Sequence, residues 1–169
     1  MTASTALATT ASTTLPALQD MSELLTVYLG DQIFGLPILQ VQDVLGPQNV
    51  THIPLVATEI AGALNLRGRI VTAIRMRERL GLPHLEQTSR SMSVVVEFEG
   101  ELYSLSFDRV GEVMNLPVTD YEPTPSTLDP KFQDVADGIY RLSGQLLVVL
   151  DIPKMLRGLS GYSQLAQKS

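Results

Sequence analysis

The sequence predicts a mainly β protein of two lobes, each a set of short strands with small helical caps, so the fold class is a pair of β-barrels. Two observations carry this. Short apolar and β-branched runs are separated by Gly, Pro, Asn and Asp turn signals along most of the chain. One such unit also occurs twice at a fixed offset. Closing each sheet on itself removes the exposed edges that short strands leave open to mispairing.

The unit is clearest at residues 64–81, Leu-Asn-Leu-Arg-Gly-Arg-Ile-Val-Thr-Ala-Ile-Arg-Met-Arg-Glu-Arg-Leu-Gly. Arg67-Gly68 is a turn pair between two strands. A two-residue loop sets Leu66 opposite Arg69 and Leu64 opposite Val71, with Asn65 and Ile70 on the other face. Glycine second in the turn tolerates φ > 0, which predicts a type II turn with Arg67 in an ordinary conformation. Arg is not a residue that such a turn selects. Its guanidinium adds little to folding at an exposed tip, where ion pairs are worth about 0–1 kcal/mol. A contact role is therefore favoured for Arg67 over a merely solvated tip. Met76 and Leu80 then lie on one side of a short helix at 76–80, with Arg75, Arg77, Glu78 and Arg79 turned outward and Gly81 as C-cap.

A shift of 76 positions lays Gly62 on Gly138 and Gly68 on Gly144 without a gap. It keeps apolar character in Leu66/Leu142, Ile70/Leu146, Val71/Leu147, Ile74/Leu150, Met76/Ile152 and Leu80/Leu156. Position 75 breaks the match, with Arg75 opposite Asp151, an acid placed to cap the helical turn that follows it. A shift of 69 positions lays Phe34, Val41, Asp43, Val44 and Leu45 on Tyr103, Val110, Glu112, Val113 and Met114. Both shifts run in the same order. The chain therefore reads as an internal duplication, with a first lobe at 23–84 and a second at 91–158.

Residues 1–22, mostly Thr, Ala, Ser and Leu, form a tail with little to bury. They lack the charged n-region and continuous apolar core of a signal peptide, and the arginines of a transit peptide. A first hairpin joins 24–29 to 32–36 through Gly30-Asp31, and Pro37 opens a helical turn at 38–40. The strand 41–45 sets Val41, Asp43 and Leu45 on one face, so an acid among apolar groups must be solvated or paired. A further short strand is expected at 49–53, stopped by Pro54. The second lobe repeats the plan with 93–98, a Glu99-Gly100 turn, a return through Leu102, Leu105 and Phe107, and a strand at 110–116. Four prolines between 117 and 130 predict a loop. The second hairpin and a helical turn at 152–156 close the lobe, and 159–169 is a frayed C-terminal tail.

At 169 residues the chain can bury a core without staples, and zero cysteines exclude disulfides and thiolate metal sites. A net charge of −6 disfavours non-specific binding to nucleic acid. Yet no Lys or Arg precedes Arg67, and five arginines fall between Arg67 and Arg79. A small nucleic-acid-binding barrel using them is the alternative class. It requires aromatic stacking residues, and only Tyr28 and Phe34 precede the cluster nearby. No run approaches the ~20 apolar residues that span a bilayer, so a cytoplasmic protein without direct membrane insertion is expected. Catalysis needs a convergent acid, base and nucleophile. Here His52 and His84 stand alone without metal-ligand spacing, no Gly-rich phosphate loop is present, and Glu97, Glu99 and Glu101 alternate as a solvated hairpin face. No enzyme activity, metal or cofactor is expected, which leaves binding as the leading class.

These residues resemble the CheW family, the adaptors of bacterial chemosensory arrays. The likeness covers roughly residues 24–158. It is carried by Leu29-Gly30-Asp31 with Phe34-Gly35-Leu36, by Ile38-Leu39-Gln40-Val41-Gln42-Asp43-Val44, by Gly62 with Asn65-Leu66-Arg67-Gly68-Arg69-Ile70-Val71, by Asp108 with Val110 and Val113, and by Leu147-Val148-Val149-Leu150-Asp151. The resemblance implies two five-stranded SH3-like barrels with a core between them, no enzymatic activity, and a scaffolding role. In that role the first lobe docks the regulatory domain of a CheA-type histidine kinase, and a groove between lobes receives the cytoplasmic tip of a methyl-accepting chemoreceptor. It also implies receptor contacts at Ile38, Val41 and Arg67, with Asp43 as the acidic partner of that arginine, and a kinase face around Leu45, Val50 and Ile53. Two positions depart from the family. Arg75 stands where an Asp is usual and Pro37 where an acid is usual; either partner choice differs or Arg75 pairs with a nearby carboxylate. A kinase-regulating adaptor outside motility would share this fold and differ only in partners.

Overall fold

The computed structural model describes residues 20–54, 56–84, 91–157 and 159. The strands are β1 (Met21–Leu29), β2 (Gln32–Pro37), β3 (Val41–Leu45), β4 (Ile60–Leu66), β5 (Arg69–Arg75), β6 (Met92–Phe98), β7 (Glu101–Phe107), β8 (Arg109–Pro117), β9 (Tyr121–Glu122), β10 (Ala136–Leu142) and β11 (Gln145–Leu150). Three short helices accompany them, α1 (Met76–Arg79), α2 (Pro130–Gln133) and α3 (Ile152–Leu156), with 3₁₀ turns at Ile38–Gln40 and Val118–Asp120. The fold is mainly β, as the sequence predicts. It consists of a six-stranded sheet I in the order β8-β1-β2-β11-β10-β9 and a five-stranded sheet II in the order β3-β6-β7-β5-β4.

Period-2 alternation sorts the side chains into three apolar clusters. On β6, Val94 and Val96 enter the largest cluster while Val95 turns to the other face. The same alternation on β11 sends Val148 and Leu150 to the large cluster and Leu147 and Val149 away from it. The large cluster takes residues from both sheets and from all three helices, including Phe34, Tyr103, Phe107, Met76, Phe132 and Met155, and so lies between the sheets. The two smaller ones line the opposite face of each sheet.

The duplication is realised as an exchange. Under the two shifts β1, β2, β3, β4 and β5 correspond to β6, β7, β8, β10 and β11, and that substitution turns the order of sheet II into the first five strands of sheet I. Each sheet therefore combines the opening hairpin of one copy with the remaining strands of the other. The exchanged hairpin is joined on one side by an antiparallel pair, β1 with β8 in sheet I and β6 with β3 in sheet II, and on the other by a parallel pair, β2 with β11 and β7 with β5. This corrects the lobes expected at 23–84 and 91–158. Sheet II is the contiguous stretch from β3 to β7, and sheet I is built from the chain on either side of it.

Other differences are local. The strand expected at 49–53 is reduced to a single bridge, Thr51 with Ala63, because Pro54 and the flanking polar residues leave no continuing ladder. That bridge brings the Thr51 carbonyl so close that a Cβ on Gly62 would lie 2.0 Å from it, and only glycine fits there. The loop expected between 117 and 130 contains a 3₁₀ turn and β9, which pairs with β10 and gives sheet I a sixth strand with no counterpart in sheet II. Strand β1 begins at Met21, inside the segment assigned to the N-terminal tail. Residues 1–19 and 160–169 lie outside the described residues. Gly81 takes a left-handed φ of 72° after α1, as the C-cap expectation requires, and Asp151 caps α3 by accepting the Lys154 N–H at 3.0 Å.

Candidate functional site

The β4–β5 register sets Leu64 against Val71 and Leu66 against Arg69, which leaves Arg67-Gly68 as the two-residue loop. Arg67 has a φ of 52° and Gly68 of 83°. Both are left-handed, so the turn is of type I′ and not the type II expected with Arg67 in an ordinary conformation. A primed turn matches the right-handed twist of the flanking strands. Asn65 supports it by accepting the Gly68 N–H on Oδ1 at 2.9 Å. In the sister hairpin only Gly144 is left-handed, and Ser143 is spared. Holding a non-glycine residue in this region costs roughly 1–2 kcal/mol, so Arg67 occupies the tip despite the local backbone preference.

Asp43 reaches that tip through a bulge. On the β6 side Val41 opposes Val96 and Asp43 opposes Val95, so Gln42 is an extra residue in β3. Val41 and Asp43 consequently point to opposite faces, which corrects the shared face expected from simple alternation. Strands β3 and β4 are the two edges of sheet II, yet Arg67 Nη2 lies 3.0 Å from Asp43 Oδ2. The sheet must curl until its edges approach. Asp43 Oδ1 accepts the Val44 N–H at 2.9 Å. Oδ2 is shielded from solvent and receives no aligned hydrogen bond, so it meets the guanidinium as a charge pair. The Arg67 side chain remains 78% exposed.

Around this pair the expected contact residues divide. Ile38 and Val41 are half-buried and pack at the rim of the cluster between the sheets. Leu39, between them, is 94% exposed and was passed over by sequence reasoning, as was Val44 at 37%. The only sequence signal for either was its place one residue from an inward apolar neighbour. Of the kinase-face residues, Leu45 and Val50 pack against the inner cluster of sheet II, and Ile53 is only 7% exposed. Their side chains serve packing first.

Arg75, Arg77 and Arg79 do not form a free basic face. Arg77 donates from Nε to Asp108 Oδ1 at 3.0 Å and from Nη2 to Oδ2. Asp108 Oδ2 also accepts the Gly30 N–H at 2.7 Å, and its own N–H donates to the Tyr28 carbonyl at 3.0 Å. One carboxylate thus ties α1 and β7 of sheet II to the β1–β2 turn of sheet I. Burial by itself pushes this carboxyl up, but the Arg77 and Gly30 hydrogen bonds together with the Arg77 charge hold it below the usual carboxylate range. Arg79 donates to the Met155 and Lys154 carbonyls at 2.8 and 3.2 Å. Arg75 donates from Nη1 to the Thr58 and Ile60 carbonyls at 2.9 and 3.2 Å, so it meets backbone instead of the carboxylate considered for it. Pro37 ends β2 and precedes the 3₁₀ turn. Phe34 is buried, and Tyr28 lies under the Arg109 guanidinium, 3.9 Å from the ring centroid. The stacking platform that a nucleic-acid-binding barrel requires is therefore not formed by these two rings.

The family model described as the CheW-like domain matches residues 23–160. The chain is 28% identical over 134 residues to a chemotaxis protein CheW of Klebsiella aerogenes, covering 79% of this chain and 81% of that one. It is 24% identical over 139 residues to a chemotaxis protein CheW of Helicobacter pylori, covering 82% and 84%. Among solved structures it resembles the scaffolding protein TtCheW of Thermoanaerobacter tengcongensis with a TM-score of 0.71 and 26% identity, over 78% of this chain and 89% of that one. A match that spans both sheets, the Arg67 hairpin and the closing helix α3 settles the family: this chain belongs to the CheW family.

Proposed function

We propose that this chain is a non-catalytic adaptor of a chemosensory array, joining a CheA-type histidine kinase to the cytoplasmic tip of a methyl-accepting chemoreceptor in the cytoplasm. Family membership supports the role, and no described helix is long and apolar enough to cross a membrane. The observation that carries the receptor contact is the Arg67–Asp43 pair. An arginine held in a left-handed turn and steadied by a shielded carboxylate presents an exposed cation at β3, whose opposite face and preceding turn carry Val41, Ile38 and the exposed Leu39. A helical hairpin tip with apolar positions flanked by acids fits that surface.

The kinase contact is assigned to the β3 edge and the segment after it, which carries Leu45, Val50 and Ile53. Because those side chains face inward, Val44 and the edge backbone make the contact and the three support it. Two surfaces of a standard size, about 800 Å² each, would hold kinase and receptor in a fixed relation. Coupling between them then comes from tighter binding to one state of the assembly than to the other.

The test is co-sedimentation with receptor-bearing membranes. Arg67→Glu keeps the fold and weakens receptor capture, and unchanged capture refutes the receptor assignment. Val44→Asp lowers pull-down of the kinase regulatory domain while receptor capture persists, and an unaffected pull-down refutes the kinase face.

A further inference from the structure

The interiors of the two sheets have diverged in a way that duplication alone does not require. In sheet I the inner face is filled: Leu24, Leu147 and Val149 form its cluster. The space beside Gly35 is so occupied that a Cβ there would lie 2.8 Å from Leu147 Cδ2 and 3.1 Å from Leu24 Cδ1. In sheet II the corresponding positions carry Ser93 for Leu24, Ser104 for Gly35 and Ala73 for Val149. Ser93 and Ala73 are smaller than Leu24 and Val149, Ser104 adds a hydroxyl where sheet I has only Gly35, and a cavity of about 700 Å³ opens there, lined by all three together with Arg75.

The polar groups in that cavity are not all spent. Ser104 is 2% exposed and Ser93 8%, and neither hydroxyl has a hydrogen-bond partner among the described residues. Around the cavity Arg77 is neutralised by Asp108, and Glu78 accepts His84 Nδ1 at 2.5 Å. His52 lines the cavity as well. Arg75 has only backbone carbonyls for partners, on Nη1, and forms no ion pair among the described residues. It also replaces the helix-capping Asp151 of the other copy. A cation without an ion-pair partner among the described residues, lining a pocket with two buried hydroxyls, recognises an anion that can also exchange hydrogen bonds.

We propose that this cavity is a binding site for a small organic carboxylate, with the carboxylate on the Arg75 guanidinium and the ligand's remaining polar groups on Ser93 and Ser104. The site is separate from the Arg67 corner, and its wall includes Val50 of the segment assigned to the kinase contact.

The experiment is titration of the full-length ¹⁵N-labelled chain with citrate as probe, at constant ionic strength, with inorganic phosphate as a second arm. Saturable shifts at the Ser93 and Ser104 amides and the Arg75 Nε–H are expected, at least tenfold weaker with phosphate. Arg75→Gln and Ser104→Ala should each weaken citrate binding tenfold or more. Ser93→Leu, which copies the filled sheet, should abolish it while raising the melting temperature, so that loss of binding is separated from loss of fold. Shifts that do not saturate, that survive these substitutions, or that phosphate reproduces equally would overturn the proposal, as would a cavity holding water only.

Discussion

Arg79 donates from Nε to the carbonyl oxygen of Met155 at 2.8 Å, and Met155 is the residue that occupies Arg79's own place in the second copy, 76 positions on. A helix end leaves its last carbonyls without intrahelical partners, and here the partner comes from the sister helix. Arg79→Met retains the stem and removes the donors. A loss of about 1.5–3 kcal/mol is expected, the range for a hydrogen bond to a charged group. Urea denaturation should show a lower midpoint at unchanged slope.

Arg67→Asn separates the chemistry of the tip from its backbone. Asn tolerates the left-handed region far better than Arg, so the variant should be as stable as the parent or up to about 1 kcal/mol more stable, while receptor capture falls as in Arg67→Glu. A lower melting temperature would show that the guanidinium acts mainly in holding the sheet edges together.

Asp108 gives the molecule part of its acid limit. Its carboxyl titrates below the usual range in the folded protein and near 3.9 when unfolded. The stability it supplies is therefore full above the unfolded value and is lost as pH falls through the folded one. Asp108→Asn should lower stability by about 2 kcal/mol at pH 7 and flatten the decline below about pH 4. Urea midpoints measured from pH 7 to pH 3 on both proteins check the sign.

Two glycines of the same hairpin should respond differently to alanine. At Gly62 a Cβ would meet the Thr51 carbonyl oxygen at 2.0 Å, whereas at Gly68 it would meet nothing within 4 Å and only the φ of 83° opposes it. Gly68→Ala is expected to cost about 1 kcal/mol. Gly62→Ala should cost about 3 kcal/mol or more, since backbone must move. Equal effects would mean that the Thr51–Ala63 bridge yields without resistance.

What the sequence disclosed follows the range of each interaction. Hairpins and helical turns were legible because alternation, turn glycines and the Asp151 cap act within a few residues. The exchange of opening hairpins was not, since the β2–β11 and β5–β7 seams join segments whose patterns would suit either partner. The bulge at Gln42 escaped for a related reason: one inserted residue reverses a face without leaving a mark in composition. Arg67-Gly68 admits either a type I′ or a type II turn, and the sister pair Ser143-Gly144 keeps Ser143 out of the left-handed region, so the residue pattern does not choose between them. The meeting of Arg67 with Asp43 came from family resemblance, because only the curling of sheet II brings opposite edges together. Ile53 was given a contact role by the family resemblance, and its burial at 7% exposure follows from packing that no local pattern announces.

The arrangement of sheet II inside sheet I sets an order of assembly. Strands β3 to β7 follow one another along the chain and have every neighbour at hand once β7 is made. The first hairpin leaves the ribosome earlier but lacks its parallel neighbour β11 until almost the whole chain has been synthesised, as the bond from Gln32 Nε2 to the Leu146 carbonyl across 114 positions records. Contacts so distant in sequence are slow to form. The oldest part of the nascent protein is thus among the last to find all its neighbours, and truncating the chain before β11 would leave the β1–β2 ribbon held to β8 on its β1 side and open along β2.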